Sequence, residues 1–412
     1  MSVTGVRVVS NLFRSGHNAI SVVIVVFCVC GASSSALAAP GDIAPLIYPG
    51  STQTFGAAIN GGGDVAGYYN LSQAFRMSAA GEFQPIAYPI YTEPQPRAPG
   101  EPPIVAVGYG EAISDNGIIA GRWGDRNYSI YHTFVNVAGT PTAIPKPANY
   151  SPYQVGSVNN SGVVVGNMEH DVNESARAWR WTGSGPVQDL GTLGGASSAA
   201  YGINDAGVVV GSASIATSTR HAYRWTEAGG MIDIHPAGMT SSAAFGINDN
   251  GVIVGAGTLP TGRGRGLRWS DSAGTQTLAP LPGMIDSAAE DLNAAGWAIG
   301  YSRDSNFENR YTLWTPDGTA HDLLAWVKQI NPAEGSKWRW FDSLDGISDA
   351  GIVLGRGYYD DGPGGLPAGD RSFLLNISSL PEPAALAATL ALSLAALRRR
   401  SRVNRMIAAR AG

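Results

Sequence analysis

The chain has 412 residues, 54 of them glycine, with 44% hydrophobic and only 14% charged residues. That balance excludes a disordered polyelectrolyte, which pairs low hydrophobicity with high charge, and a long coiled coil, which is built from Ala, Glu, Lys, Leu and Arg. Only the two ends carry long apolar runs, so the interior is expected to fold as a glycine-rich globular body.

Residues 1–38 read as a secretory leader. Arg7 and Arg14 form a basic start with no acid nearby, Ala19 to Cys30 is an apolar core, and Ala36-Leu37-Ala38 matches the small-x-small pattern cut by signal peptidase after Ala38. The competing reading is an uncleaved anchor, for which the core is short. No Arg-Arg pair occurs there, which favours the general secretory route over the twin-arginine one. Both cysteines, Cys28 and Cys30, fall inside the leader behind Phe27 and Val29, so neither has the small preceding residue of a lipoprotein signal. The mature chain then has no disulfide and no thiolate site. It must hold itself together by core burial, for which its length suffices.

From residue 58 a ten-residue pattern recurs: apolar, Asn or Ser, three turn residues ending in Gly, three mostly apolar residues, Gly. Its clearest copies are 202–211 (Gly-Ile-Asn-Asp-Ala-Gly-Val-Val-Val-Gly) and 246–255 (Gly-Ile-Asn-Asp-Asn-Gly-Val-Ile-Val-Gly), with weaker ones at 58–67, 112–121, 157–166, 291–300 and 346–355. The closing glycines Gly67, Gly121, Gly166, Gly211, Gly255, Gly300 and Gly355 are 54, 45, 45, 44, 45 and 55 residues apart, the spacing of propeller blades or a similar array. Each unit holds four short strand-like runs; in the best one they are 208–211, 221–225, 231–234 and 243–247. The Asn-Asp-x-Gly turn is a hairpin signal, with Gly supplying a positive φ, and is placed between the fourth run of one unit and the first of the next. The apolar triplet after it reads as a strand buried on both faces. Seven units of four strands predict an all-β, seven-bladed β-propeller. Two strand-like runs at the start (44–48 and 52–59) and two at the end (352–356 and 372–377) are expected to complete the last blade together, which closes the ring. An open β-solenoid is the rival, and it has no need of complementary ends.

Asp189-Leu190-Gly191-Thr192-Leu193-Gly194-Gly195, Ala200-Tyr201-Gly202-Ile203-Asn204 and His221-Ala222-Tyr223-Arg224-Trp225 resemble the HAF repeat family of exported bacterial proteins, most strongly over 155–325. The resemblance implies architecture and export and carries no activity to any residue.

Several residues are candidates for chemistry. The Asn/Ser-Asp turns, with Asp115, Asp205, Asp249 and Asp349, offer oxygen ligands for calcium, set against a plain hairpin role. Trp181, Trp225, Trp269 and Trp314 recur 14 or 15 residues after a closing glycine, as a ring of sugar platforms or as blade-to-blade packing. Residues 324–341, read as an insertion in the sixth blade, hold Trp326, Lys337, Trp338 and Trp340, aromatics beside a cation that could take an acidic polysaccharide; the alternative is a capping helix followed by Gly-x-Trp. Glu169-His170-Asp171 with Glu174 is weighed as a metal loop or a solvated one. Residues 90–105 are Pro-rich and read as a stiff extended loop. No Gly-x-Ser-x-Gly, His-Glu-x-x-His or phosphate loop occurs, so no catalytic residue, metal ligand or cofactor is assigned.

The C-terminus carries Pro381-Glu382-Pro383, the apolar run Ala384 to Leu397, and Arg398-Arg399-Arg400-Ser401-Arg402. In that order these resemble the PEP-CTERM sorting signal of exopolysaccharide-producing Gram-negative bacteria. The resemblance implies a transient inner-membrane helix, cytoplasmic arginines and an exosortase as partner; a permanent tail anchor is the alternative. The organisation expected is a leader (1–38), a repeat propeller (39–380), a sorting signal (381–402) and a cytoplasmic tail (403–412). The 39–380 body carries 19 basic and 31 acidic residues, net −12, which argues against nucleic acid binding. The expected function is an exported, exosortase-sorted binding or structural module at the cell surface or in the exopolysaccharide matrix. The competing expectation is an extracellular hydrolase with carboxylates in the propeller channel.

Overall fold

A computed structural model describes residue 37 and residues 39–378, apart from 52, 71–72, 89–105, 126–130, 151–153 and 171–174. Ala36, Ala38, the Pro381-Glu382-Pro383 box, Arg398, Arg399, Arg400 and the whole Pro-rich loop 90–105 lie outside the described residues. Among those described, no helix is long and apolar enough to cross a membrane.

Seven antiparallel four-stranded sheets make seven blades. Their first strands are Thr54–Ile59, Ala106–Ile113, Gln154–Val158, Gly194–Ile203, Ser241–Ile247, Asp286–Leu292 and Trp338–Ile347. Each first strand touches those of both neighbouring blades, and the seventh touches the first, so these strands surround the axis and the ring is closed. The propeller expectation holds, but two of its details change. The Asn-x-x-Gly hairpin lies within a blade, joining first and second strands, because an antiparallel hairpin keeps its two strands in one sheet. The closing blade is also stitched differently: Trp338–Ile347, Ile352–Tyr359 and Gly369–Asn376 come from the C-terminal side, and Ile43–Pro45 alone comes from the N-terminal side, pairing with Gly369–Asn376 as the outermost strand. Thr54–Ile59 instead opens the first blade, since its hairpin binds it to Val65–Tyr69.

The closing glycines sit in the second strands, and their neighbours explain them. Each is paired on the third strand with a fully buried side chain: Phe75, Phe134, Trp179, Tyr223, Leu267, Thr312 or Phe373. On the other side a first-strand carbonyl presses in; a Cβ on Gly166 would lie 1.9 Å from the Gln154 oxygen. Only glycine admits that approach. The crowding arises from a bulge in every first strand, one residue wide, around residues 57, 111, 156, 201, 245, 290 and 345.

Between blades the core is a series of apolar seams. Trp181, Trp225, Trp269 and Trp314 are all buried, each packed in a cluster with residues of the preceding blade, which is packing rather than a ring of sugar platforms. Two short helices, α1 (Leu323–Ile330) and α2 (Pro332–Gly335), link the sixth blade to the seventh. Asp322 caps α1 by accepting from the Ala325 N–H. Leu323 and Val327 join Ile43, Trp338 and Phe373 in the cluster that seals the closing blade. Gly335 lets α2 pack on α1, since a Cβ there would meet Lys328 Cα at 2.9 Å.

Candidate functional site

The channel along the propeller axis is built in three tiers by three nearby positions of the repeat. At one mouth stand the hairpin residues. Asn60, Asn159, Asn204, Asn248 and Asn293 each use Oδ1 to accept the N–H that closes their own turn, and Nδ2 to donate to the equivalent backbone carbonyl of the next blade. Ser114 and Ser348 make only the first contact. The following residues extend the belt. Asp115 accepts from the Gly61 N–H at 2.6 Å, Asp205 from Asn160, Asp249 from Asp205 and Asp349 from Ala294, always from the preceding blade. The Asp349 N–H donates to the Gly61 carbonyl and completes the circuit. The aspartates weighed for calcium therefore serve as inter-blade acceptors. They also feel one another: burial, and then the charges of Asp349, Asp205 and Asp249, raise the Asp115 pKa above the usual carboxylate range against the lowering effect of its Gly61 bond.

The residue before each Asn or Ser is apolar: Ile59, Ile113, Val158, Ile203, Ile247, Leu292 and Ile347. These seven form a collar under the mouth, and the mouth cavity above them is about 160 Å3. Below the collar is a second cavity of about 230 Å3, lined in part by Ile59, Ile113, Ile203 and Ile247.

The second cavity is the chamber of interest. All seven bulge residues line it: Ala57, Glu111, Gly156, Tyr201, Phe245, Glu290 and Asp345. A bulge turns its extra residue out of the strand's alternation, and here all seven such residues line the axial cavity. Each stands three residues before the hairpin Asn or Ser. Around these positions the repeat keeps its pattern of apolar residue, Asn or Ser, and glycine, whereas the bulge residues themselves are two aromatics, three acids and two small residues. Tyr201 and Phe245 lie together, ring centroids 5.6 Å apart. Glu111 is paired with Arg122 at 2.5 Å. Asp291, also in the chamber, accepts from the Ile347 N–H at 3.0 Å. The second oxygens of Glu111 and Asp345 are turned into the protein, toward the Val155 N–H and Ser343 respectively.

The electrostatics follow from the crowding. Burial, then the neighbouring charges of Asp345 and Asp291, push the Glu290 pKa up to about 7. Burial drives Asp291 to about 6 against its backbone hydrogen bonds. It also raises Asp345 despite the opposing charge of Arg356, and Glu111 despite Arg122. The chamber thus holds two carboxyl groups, Glu290 and Asp291, raised toward neutrality, beside two more shifted in the same direction, a signature of functional sites.

The residues singled out between 324 and 341 do not form one surface. Trp338 is completely buried and cannot stack on a ligand. Trp326 is part-buried against the closing-blade cluster. Lys337 is tied to Glu334 and Asp361, both at 3.0 Å, which raises its pKa. Only Trp340 is open, at 47% exposure, stacked on Tyr358 with ring centroids 4.6 Å apart. Two residues apart on a regular strand, Trp338 and Trp340 would share a face; a bulge between them separates the two. They also belong to the first strand of the seventh blade, not to an insertion in the sixth. His170 packs edge-on to Tyr150, and residues 171–174 of its loop lie outside the described residues.

No protein-family model and no curated protein matches the chain. Similar solved structures are distant. TolB from Acinetobacter baumannii shares 11% identity over 63% of this chain and 62% of its own, with a TM-score of 0.42. A puromycin hydrolase shares 14% over 78% of this chain and 53% of its own, with a TM-score of 0.46. The six-bladed Aleuria aurantia lectin shares 13% over 67% of this chain and 99% of its own, with a TM-score of 0.32. The chain thus spans less than two thirds of the first two, and no function follows from any of these likenesses.

Proposed function

We propose that this chain is an exported propeller, sorted through its C-terminal signal, which acts as a binding module at the cell surface or in the extracellular polysaccharide and takes its ligand in the axial chamber. The observation that supports it is the bulge ring. The repeat spends its regular positions on turns, collar and blade packing, while the bulge position, which lines the chamber in every blade, varies in size, aromaticity and charge. Such variation in the wall of a concave, partly apolar cavity with convergent polar groups is the pattern of a specificity site. The acidic body and the leader and sorting signal resembled by its ends favour an extracellular setting. The test is retention of the 39–378 body on the producer's own exopolysaccharide, compared with the double substitution Tyr201→Ala, Phe245→Ala. Retention lost with the double variant supports the reading; equal retention of both proteins removes the chamber from it.

A hydrolase is the second reading, favoured by Glu290, whose raised pKa suits a general acid near neutral pH. Two of the other chamber carboxyls are already committed, Glu111 to Arg122 and Asp291 to backbone N–H groups. New reducing ends released from the same polysaccharide, and lost in Glu290→Gln, would establish the hydrolase over the binding module.

A further inference from the structure

We propose that the chamber is selective for a ligand carrying a protonated primary amine, and that within an extracellular polysaccharide this is a hexosamine unit with a free amino group. The inference rests on the chamber being the binding site, and deepens that reading by naming the ligand chemistry.

Three features of the chamber converge on it. The first is the pairing of unlike walls. Tyr201 and Phe245 come from the fourth and fifth blades, whereas Glu290 and Asp345 come from the sixth and seventh. Aromatic faces pack against the C–H face of a sugar ring and also attract a cation through their quadrupole. The second is unmet hydrogen-bonding capacity. Glu290, largely buried in the chamber wall, is fixed by no hydrogen bond among the described residues and feels only burial and like charge, and a buried acceptor left so is costly. An ammonium group brings three donors and no acceptor, so it meets only favourable partners among carboxylates. A neutral hydroxyl brings one donor and no charge. The third is charge. Four carboxyl groups line the cavity, and among the described residues the ion pair they make is Glu111 with Arg122. Glu290 faces the like charges of Asp345 and Asp291, and Arg356 is the cation near Asp345. A bound monocation relieves the repulsion directly.

The same features disfavour two other cations. Among the described residues no three His, Cys, Asp or Glu side chains are arranged to hold a metal ion. A large polycation does not match a cavity of about 230 Å3, below the ~300–1,000 Å3 usual for drug-sized ligands, which suits a single sugar ring.

The experiment is calorimetric titration of the 39–378 body with glucosamine, N-acetylglucosamine and glucose at pH 7.5. Glucosamine is expected to bind at least tenfold more tightly than the other two, because acetylation removes the charge and glucose never had it. Glu290→Gln is expected to weaken glucosamine binding at least tenfold while leaving the melting temperature unchanged or higher, since no partner of Glu290 is lost. Tyr201→Ala is expected to weaken it too. Equal binding of the three sugars, with Tyr201→Ala weakening all of them, overturns the amine selectivity and leaves the chamber as the site. Glucosamine binding unaffected by both Glu290→Gln and Tyr201→Ala overturns the amine site and the chamber together. Binding of none of the three overturns the amine proposal, and polysaccharide retention by the double aromatic variant then decides the chamber alone.

Discussion

A Cβ on Gly211 would lie 1.9 Å from the carbonyl oxygen of Ala199. That contact links the periodic glycine to the channel. The Ala199 carbonyl is pushed inward because the strand bulges around Tyr201, and the bulge carries the Tyr201 side chain to the axis. A glycine visible in the sequence is therefore the space left for a side chain on the neighbouring strand to reach the axial chamber.

Gly211 and Gly207 should fail for different reasons. Gly211 has ordinary φ and no room, so Gly211→Ala is expected to destabilise by at least the ~1–3 kcal/mol of overpacking. Gly207 has φ +76° and open space around it. Gly207→Val should cost about 1–3 kcal/mol through backbone strain, and Gly207→Asn much less, because Asn tolerates the left-handed region. Chemical denaturation of the three variants measures this. Equal losses for Val and Asn at 207 would contradict the assignment.

The hairpin asparagines should be worth more than the serines that replace them. Asn248→Ala removes two buried hydrogen bonds, one to the Val252 N–H at 3.0 Å and one to the Asn293 carbonyl at 3.0 Å. At about 1 kcal/mol each, a loss of ~2 kcal/mol is expected. Asn248→Ser, which copies blades two and seven, should recover about half by closing the turn again. Full recovery would mean that the inter-blade bond contributes nothing.

Stability should fall as pH rises through the chamber's titration. Glu290 has an ordinary pKa of 4.5 and is raised to about 7 in the fold. The folded state therefore holds a proton that the unfolded state has released between these values. Its contribution is fully present below about pH 4.5 and lost as pH rises through 7. Asp291, raised to about 6, acts in the same sense from 3.8 upward. The melting temperature is expected to drop from pH 5 to pH 8, and Glu290→Gln to flatten that slope. An unchanged slope in the variant would remove Glu290 as its source.

Trp338 and Trp340 should separate cleanly. Trp338→Ala empties a fully buried site among Phe341, Tyr359 and Phe373, with an expected loss of about 3–5 kcal/mol. Trp340→Ala removes a half-exposed ring and should stay within about 1 kcal/mol. Thermal melts of both decide it. If Trp340→Ala alone reduced polysaccharide retention, the outer face of the seventh blade would be a second contact.

Sorting is tested by intact mass. The resemblance at 381–402 leads to the expectation of a product ending near Pro381 in wild-type cells and a longer one when the sorting enzyme is deleted. A mass that retains Ala384 to Gly412 in both would make the segment a plain tail anchor.

The local chemistry was readable along the chain. Seven Asn/Ser-x-x-Gly turns, seven mostly apolar triplets and a period near 45 residues are properties of neighbouring residues, and they suffice for blade number and strand count. Position across strands was not readable. Which strand a hairpin keeps in its sheet decided that one N-terminal strand, not two, completes the seventh blade. A bulge is a register event that exists only between paired strands, so Trp338 and Trp340 looked alike in sequence and were parted by the fold. For the same reason the variable residue three places before each hairpin Asn or Ser was visible as a column without a role. Closing the ring brought those seven residues, tens to hundreds of positions apart, to one axis, where burial and mutual repulsion raised the pKa values that no spacing along the chain encodes.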